Sequence, residues 1–311
     1  MSAVTIALVG SAELAAELGK KGTVSDLTLY HAVRDGHAMT IVVPSQYPEK
    51  FAPLLYAVAM ADEVLLVAEA LSRPLAESLA VAELFAKPTR VVLGPAVGEP
   101  ELRRALKGSD LESVGTLPLE PARLRTEAEA ARATPREGPA RVRIDHAFPV
   151  KGVGAVALGL VTQGTLLAHE KMRLYPDPRT VEVRSIQVHD VDVKEARSGE
   201  RVGVALRGVE ADELSRGQTL AAEGGMEAGT RLTAERWTPC RYYRATVHDG
   251  TPLHALVGLQ FVPARVTLRP NARLELDADR PVAWARGDPV FVADLDASPG
   301  PRIVGRAVTA E

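Results

Sequence analysis

The chain has 311 residues, 46% hydrophobic, 25% charged and 4% aromatic, a profile that suits two or three globular domains with aliphatic cores. One cysteine, Cys240, excludes an internal disulfide and any paired-cysteine metal motif, and no run of about 18 apolar residues is present to form a spanning helix. The net charge of −3 is unevenly placed: residues 1–137 carry 14 Lys+Arg against 18 Asp+Glu, and residues 138–311 carry 23 against 22, of which 20 are arginine.

The opening MSAVTIALVGSAEL lacks the basic start and long apolar core of a secretory leader, so a cytoplasmic protein with no membrane partner is expected. The arginines offer forked donors suited to phosphate and RNA, although a GC-rich gene produces the same bias.

Residues 3–10, AVTIALVG, read as a buried strand ending in glycine. A helix over Ala12 to Leu18 follows, with Gly19 as its C-cap. Further strands are expected at Met39–Val43, Glu63–Ala68, Thr89–Leu93 and Glu112–Leu117, and helices at Pro53–Met60, Pro74–Phe85 and Pro100–Lys107. This alternation predicts an α/β domain with a doubly wound, mostly parallel sheet over residues 1–120. The Pro- and Ala-rich stretch 121–138 reads as a helical linker.

Beyond it the period becomes two. RVRIDHAF, GAVALGLV, TVEVRSIQ and RVGVAL predict an antiparallel β-barrel over 139–222. RLTAERW, CRYYRATV, LHALVGLQ, PARVTL, ARLEL, DPVFVADL and RIVGRAV predict a second over 229–311, after a hinge at AAEGGMEAG. His189, Asp190 and Asp192 in VHDVDV suit a barrel turn better than a metal site, because alternation separates them.

An α/β domain followed by two β-barrels is the outline of translational GTPases of the EF-Tu kind, and several segments carry the resemblance. IDHAFPVKGVGAVALGLVTQGTL and RSIQVHDVDVKEARSGERVGVALRGVEADELSRGQTL resemble the second domain of those factors. PLHALVGLQFVPARVTL and ARLELDADRPVAWARGDPVFVADLD resemble the third domain of selenocysteine-specific factors, and LGKKGTVSDLTLYH resembles the archaeal SelB-like branch that includes EF-Pyl. The resemblance implies GTP and magnesium as cofactors, and tRNA or aminoacyl-tRNA and the ribosome as partners.

The residues that hold the nucleotide in such factors are missing. A phosphate loop reads GxxxxGK(S/T), with backbone amides around the phosphates, Lys on the β and γ groups and a hydroxyl on magnesium. Here the strand ends at Gly10, and Ala15, Ala16 and Glu17 stand where Gly, Lys and Ser/Thr belong; Lys20 is the nearest lysine. The DxxG segment reads VPSQ, and Tyr47 stands where the relatives place a water-orienting His. A phenol with a pKa of about 10 is a poor base at neutral pH. The guanine motif NKxD reads VVLGPAVGEP, without Asn, Lys or Asp. Thr28 aligns with the magnesium-binding switch threonine but has nothing left to sense. No cofactor is therefore expected, and no catalytic residue.

The resemblance also implies an aminoacyl pocket made of Asp145, His146 and Arg201, in which the Arg fork would hold an anionic side chain while Asp and His orient it. Arg236, Arg241, Tyr243 and Arg244 form a basic-aromatic segment able to stack on RNA and neutralise it. The expected function is binding of tRNA or aminoacyl-tRNA without GTP hydrolysis. Two alternatives stand beside it: a working GTP-dependent factor of the selenocysteine or pyrrolysine type, and a protein-interaction module derived from an elongation factor.

Overall fold

The computed structural model describes residues 2–310. It divides into two compact units. One comprises the chain up to Ala133 with Pro239–Ala245 and Asp294–Val304; the other comprises Thr134–Thr238, Thr246–Ala293 and the chain from Gly305 on.

In the first unit the elements run β1 (Ser2–Val9), α1 (Ala12–Leu18), β2 (Lys20–Val24), β3 (Thr28–Arg34), β4 (His37–Val43), α2 (Ala52–Met60), β5 (Glu63–Ala68), α3 (Arg73–Phe85), β6 (Thr89–Leu93), α4 (Glu99–Leu106), β7 (Gly115–Pro118) and α5 (Pro121–Ala130). The seven strands lie in the order β2-β3-β4-β1-β5-β6-β7. The five from β4 to β7 are parallel, while β2 and β3 add an antiparallel flank beyond β4. The central strands bury both faces, as parallel strands under helices must, so β4 reads HAMTIVV with every residue buried. Ser72 caps α3 by accepting from Leu75 N, and Pro74 sits in the first turn, where its missing N–H costs nothing.

Three features differ from the sequence expectations. Lys20–Val24 and Thr28–Arg34 form a hairpin that apolar patterning does not reveal, because β2 lies at the sheet edge with almost no buried residue. The last strand is Gly115–Pro118 rather than Glu112–Leu117, since 110–113 form turns. Residues 121–130, expected as part of a linker, are helical but not solvated. Leu124 and Ala128 are fully buried in the same core as Val4, Leu14 and Leu18.

In the second unit the strands are β8 (Arg141–Val150), β9 (Gly154–Gln163), β10 (Thr165–Leu167), β11 (Lys171–Tyr175), β12 (Arg179–Val188), β13 (Val191–Val193), β14 (Glu195–Arg197), β15 (Arg201–Arg207) and β16 (Thr219–Ala221). Their main sheet runs β11-β16-β8-β9-β15-β12-β13, and β11 also pairs with β12, which closes it into a barrel. A closed barrel of β17 (Glu227–Pro239), β18 (Thr251–Val257), β19 (Gln260–Arg269), β20 (Arg273–Trp284), β21 (Pro289–Ala293) and β22 (Ile303–Thr309) follows, in the order β17-β20-β19-β18-β21-β22. CRYYRATV is not a strand of it: residues 240–250 are loop. His189 and Asp190 occupy the tight turn between β12 and β13, both with positive φ, as a two-residue hairpin turn requires.

Candidate functional site

The C-terminal ends of β1, β4 and β5 open onto a cavity of about 430 Å3. It lies where the chain departs to opposite sides of β1, the position at which open α/β sheets receive ligands. Ser11, Ser45, Tyr47, Ser72 and Ser78 bring hydroxyls to its wall, and Glu69 is its one charged residue. No lysine or arginine lines it, so nothing there offsets the charge of a polyphosphate.

The backbone at this edge is short. Two residues, Gly10 and Ser11, lead from β1 into α1, and the Ser11 hydroxyl caps the helix by accepting from Leu14 N at 3.3 Å. Gly10 has φ of +105°, and a Cβ on it would stand 2.7 Å from the Val67 carbonyl oxygen. Only glycine fits such a position. No concave run of amides of the kind that cradles phosphates intervenes.

The four residues singled out around the nucleotide position do not converge. Gly10 and Tyr47 line the cavity. Thr28 is buried and spends its hydroxyl on Ser45 Oγ at 2.5 Å. Lys20 opens the edge strand β2, paired with His31 and exposed to solvent. The Tyr47 hydroxyl donates to the Pro74 carbonyl at 2.7 Å and accepts from Ser78 Oγ at 3.3 Å. Burial raises its pKa well above the ordinary tyrosine value, against the hydrogen bond from Ser78. It is a neutral hydroxyl tied to α3, not a base.

Sequence reading missed the groups that hold this region. Glu77, 3% exposed on α3, accepts from Arg302 three times: from its backbone N at 2.8 Å, Nε at 3.0 Å and Nη2 at 2.6 Å. Arg302 Nη2 also donates to the Pro48 carbonyl at 3.0 Å, and the guanidinium lies 4.8 Å from the centre of the Phe51 ring. The loop after β4, which includes the DxxG position, is thereby fastened to α3 and to residue 302. A glutamate among the apolar residues of α3 was the one available signal; nothing near it in sequence points to a partner 225 residues away.

In the second unit Asp145 and Arg201 do meet. Arg201 Nη2 donates to Asp145 Oδ1 at 2.9 Å, and Nη1 pairs with Oδ2. Both side chains are largely buried. A register shift between Ile144 and His146 makes a bulge at Asp145, which re-aims its carboxylate toward β15. Arg216 Nε donates to the Asp145 backbone carbonyl at 3.2 Å, so Arg201 holds the carboxylate of this residue and Arg216 its main chain. His146 is half-buried, its ring 5.8 Å from that of Phe148. His189 is a neighbour the sequence did not suggest: burial lowers its pKa, and the Arg201 charge lowers it further, against Asp190 and Glu200. Asp145 already fills both outer arms of the Arg201 fork, so an incoming anion must share Arg201 with that carboxylate.

The basic-aromatic residues are shared between the two units. Arg236 lies in β17 of the second unit, while Arg241, Tyr243 and Arg244 belong to the first. Arg241 donates to the Gly108 carbonyl and lies 5.4 Å over the Tyr242 ring. Tyr243 donates to Asp294 Oδ2 at 2.8 Å; burial first, then the bond to this carboxylate, pushes its pKa up to about 12. Arg244 is exposed. Among the described residues no group of His, Cys, Asp and Glu is arranged to hold a metal, and no helix is long and apolar enough to cross a membrane.

Residues 154–221 match the family model for elongation factor Tu domain 2. Over 309 residues the chain is 32% identical to an uncharacterized protein of Methanocaldococcus jannaschii, a match covering 98% of this chain and 99% of that one. It is 28% identical over 276 residues to the selenocysteine-specific elongation factor of the same organism, which takes in 80% of this chain but 58% of that factor's length. The fold is that of translation elongation factor SelB from Methanococcus maripaludis, solved in complex with the GTP analogue GppNHp. The TM-score is 0.85 at 20% identity, covering 99% of this chain and 79% of that one.

Proposed function

Because the chain belongs to the SelB-like elongation factors, we propose that it binds tRNA, in the first place aminoacyl-tRNA, without a GTP-driven switch. The observation that carries the second half of this reading is the two-residue passage from β1 through Gly10 and Ser11 into α1. Phosphate binding at such an edge needs several convergent amides and a cation. Here the Leu14 amide is spent on the serine cap, and Glu69, the one charged residue that lines the cavity, is negative. Nucleotide-dependent release works by ordering and collapsing switch loops. The loop after β4 is fastened by contacts of Tyr47, Glu77 and Arg302 within the protein itself. Release of cargo then depends on affinity and on competing partners.

Titration with fluorescent GDP and GTP analogues in magnesium tests this. No saturable signal is expected up to about 100 μM, a binding free energy of roughly −5.5 kcal/mol. Saturation at low micromolar concentration would show that a GTP site persists and would sink the proposal.

The tRNA half rests on kinship and on the Asp145–Arg201 site, where Arg216 supplies a further positive charge. A gel shift comparing aminoacylated with deacylated tRNA tests it, with preference for the aminoacylated form expected and its loss in Arg201→Ala. One observation favours a second reading, a protein-docking module: Arg241 and Tyr243 are spent on internal contacts rather than offered to RNA. If neither tRNA form shifts at low salt, where phosphate contacts are strongest, that reading replaces the first.

A further inference from the structure

We propose that Arg141 and Arg143, at the start of β8, form a binding site for a small oxyanion of the phosphate class. The two residues stand one apart in the strand, and the intervening Val142 points into the barrel core. Both arginine side chains therefore leave on the opposite face. They are mostly withdrawn from water, 14% and 12% exposed, and so is the carboxylate they share, Asp288, at 11%.

The charges do not balance. Arg141 Nη1 and Arg143 Nη2 both address one oxygen, Asp288 Oδ1, at 3.1 and 3.4 Å. The other oxygen, Oδ2, accepts from the Ala285 amide at 3.0 Å. Among the described residues the 3.4 Å contact is the one polar partner of the Arg143 guanidinium. The rest of that group lies against Gly258, where a Cβ would come within 3.2 Å of Nε, so the bare turn leaves the guanidinium its room.

Guanidinium does not lose its proton in a protein. One carboxylate against two largely buried cations leaves a surplus positive charge, which is costly away from water unless an anion accompanies it. The direction of the Arg143 pKa agrees. Burial lowers it, Asp288 opposes that, and Arg141 and Arg136 add to the lowering. A tetrahedral oxyanion meets the need: two of its oxygens match the planar fork of one arginine while a third reaches the other.

The test is titration of the full chain with inorganic phosphate at constant ionic strength set by chloride, followed by 31P line broadening and thermal unfolding. One saturable site and a rise in Tm over the chloride control are expected. Arg143→Met should weaken phosphate by about tenfold or more, the loss of a charge-assisted donor. Asp288→Asn, which keeps an acceptor for the Ala285 amide but removes the competing charge, should tighten it. Adenosine 5′-monophosphate against adenosine identifies the source: displacement of phosphate by the monophosphate alone assigns the site to phosphomonoesters, and no displacement by either assigns it to the free ion. Absence of a saturable phosphate site in the unmodified chain, or unchanged affinity in Arg143→Met, overturns the proposal. Should Arg143→Met fail to unfold cooperatively, Arg141→Met takes its place with the same expectation.

Discussion

Arg302 illustrates how a single side chain decides the state of a loop. Its guanidinium meets a carboxylate that is 3% exposed, a carbonyl and an aromatic face. Truncation in Arg302→Ala leaves Glu77 buried and uncompensated, for which a loss of about 3–5 kcal/mol is expected in urea unfolding. Tyr243 makes a complementary prediction in alkali. Its folded pKa of about 12 lies above the free phenol's value of 10. Below pH 10 the phenol is protonated in both states, and its contribution to stability is complete. Between pH 10 and 12 the unfolded chain loses the proton while the folded chain keeps it, so stability falls. Tyr243→Phe should flatten that part of the unfolding-versus-pH curve. At this scale the sequence was legible where a family resemblance marks both partners, even 56 residues apart. Asp145 and Arg201 were named from the resemblance, and they pair. The Glu77–Arg302 lock was not, because no periodicity connects α3 to a position 225 residues later.

Most elements follow from patterning, and the exceptions share a cause. Strands such as β4 and β5 announce themselves because both faces are buried, and α3 because serine and proline mark its start. The hairpin of β2 and β3 lies at an edge, where KKGTV has no apolar face to show. CRYYRATV alternates like a strand, yet Arg241 and Tyr243 are drawn to Gly108 and Asp294 and the segment stays a loop: tertiary partners override local preference. For α5 the composition suggested a helical linker, but Leu124 and Ala128 complete the core of the first unit. Leu124→Ala should cost about 2–5 kcal/mol by leaving a cavity there. A midpoint in urea unchanged from the parent chain would show instead that the helix is dispensable.

For the whole molecule, the nucleotide question reduces to linkage. A ligand present at a hundred times its Kd adds about 2.7 kcal/mol to the folded state, a rise of a few degrees in Tm for a chain of this length. Millimolar GTP with magnesium should give no rise beyond that produced by ATP with magnesium at equal concentration. ATP is the control because the oxyanion site inferred on β8 responds to phosphate groups irrespective of the base. Fold class was readable end to end from the switch between period 3.6 and period 2. The division into units was not, since Pro239–Ala245 and Asp294–Val304 join the first unit from far along the chain.

The turn at Gly10 carries one more consequence. The carbonyl of Val67 leaves no space for a β-carbon there, and the serine cap follows at once. Extra residues at this corner have no bulge to occupy and would unseat the cap or push β1 away from its neighbours β4 and β5. Grafting an eight-residue phosphate loop between Val9 and Ala12 should therefore yield a misfolded protein rather than a revived GTPase, however faithful the transplanted motif.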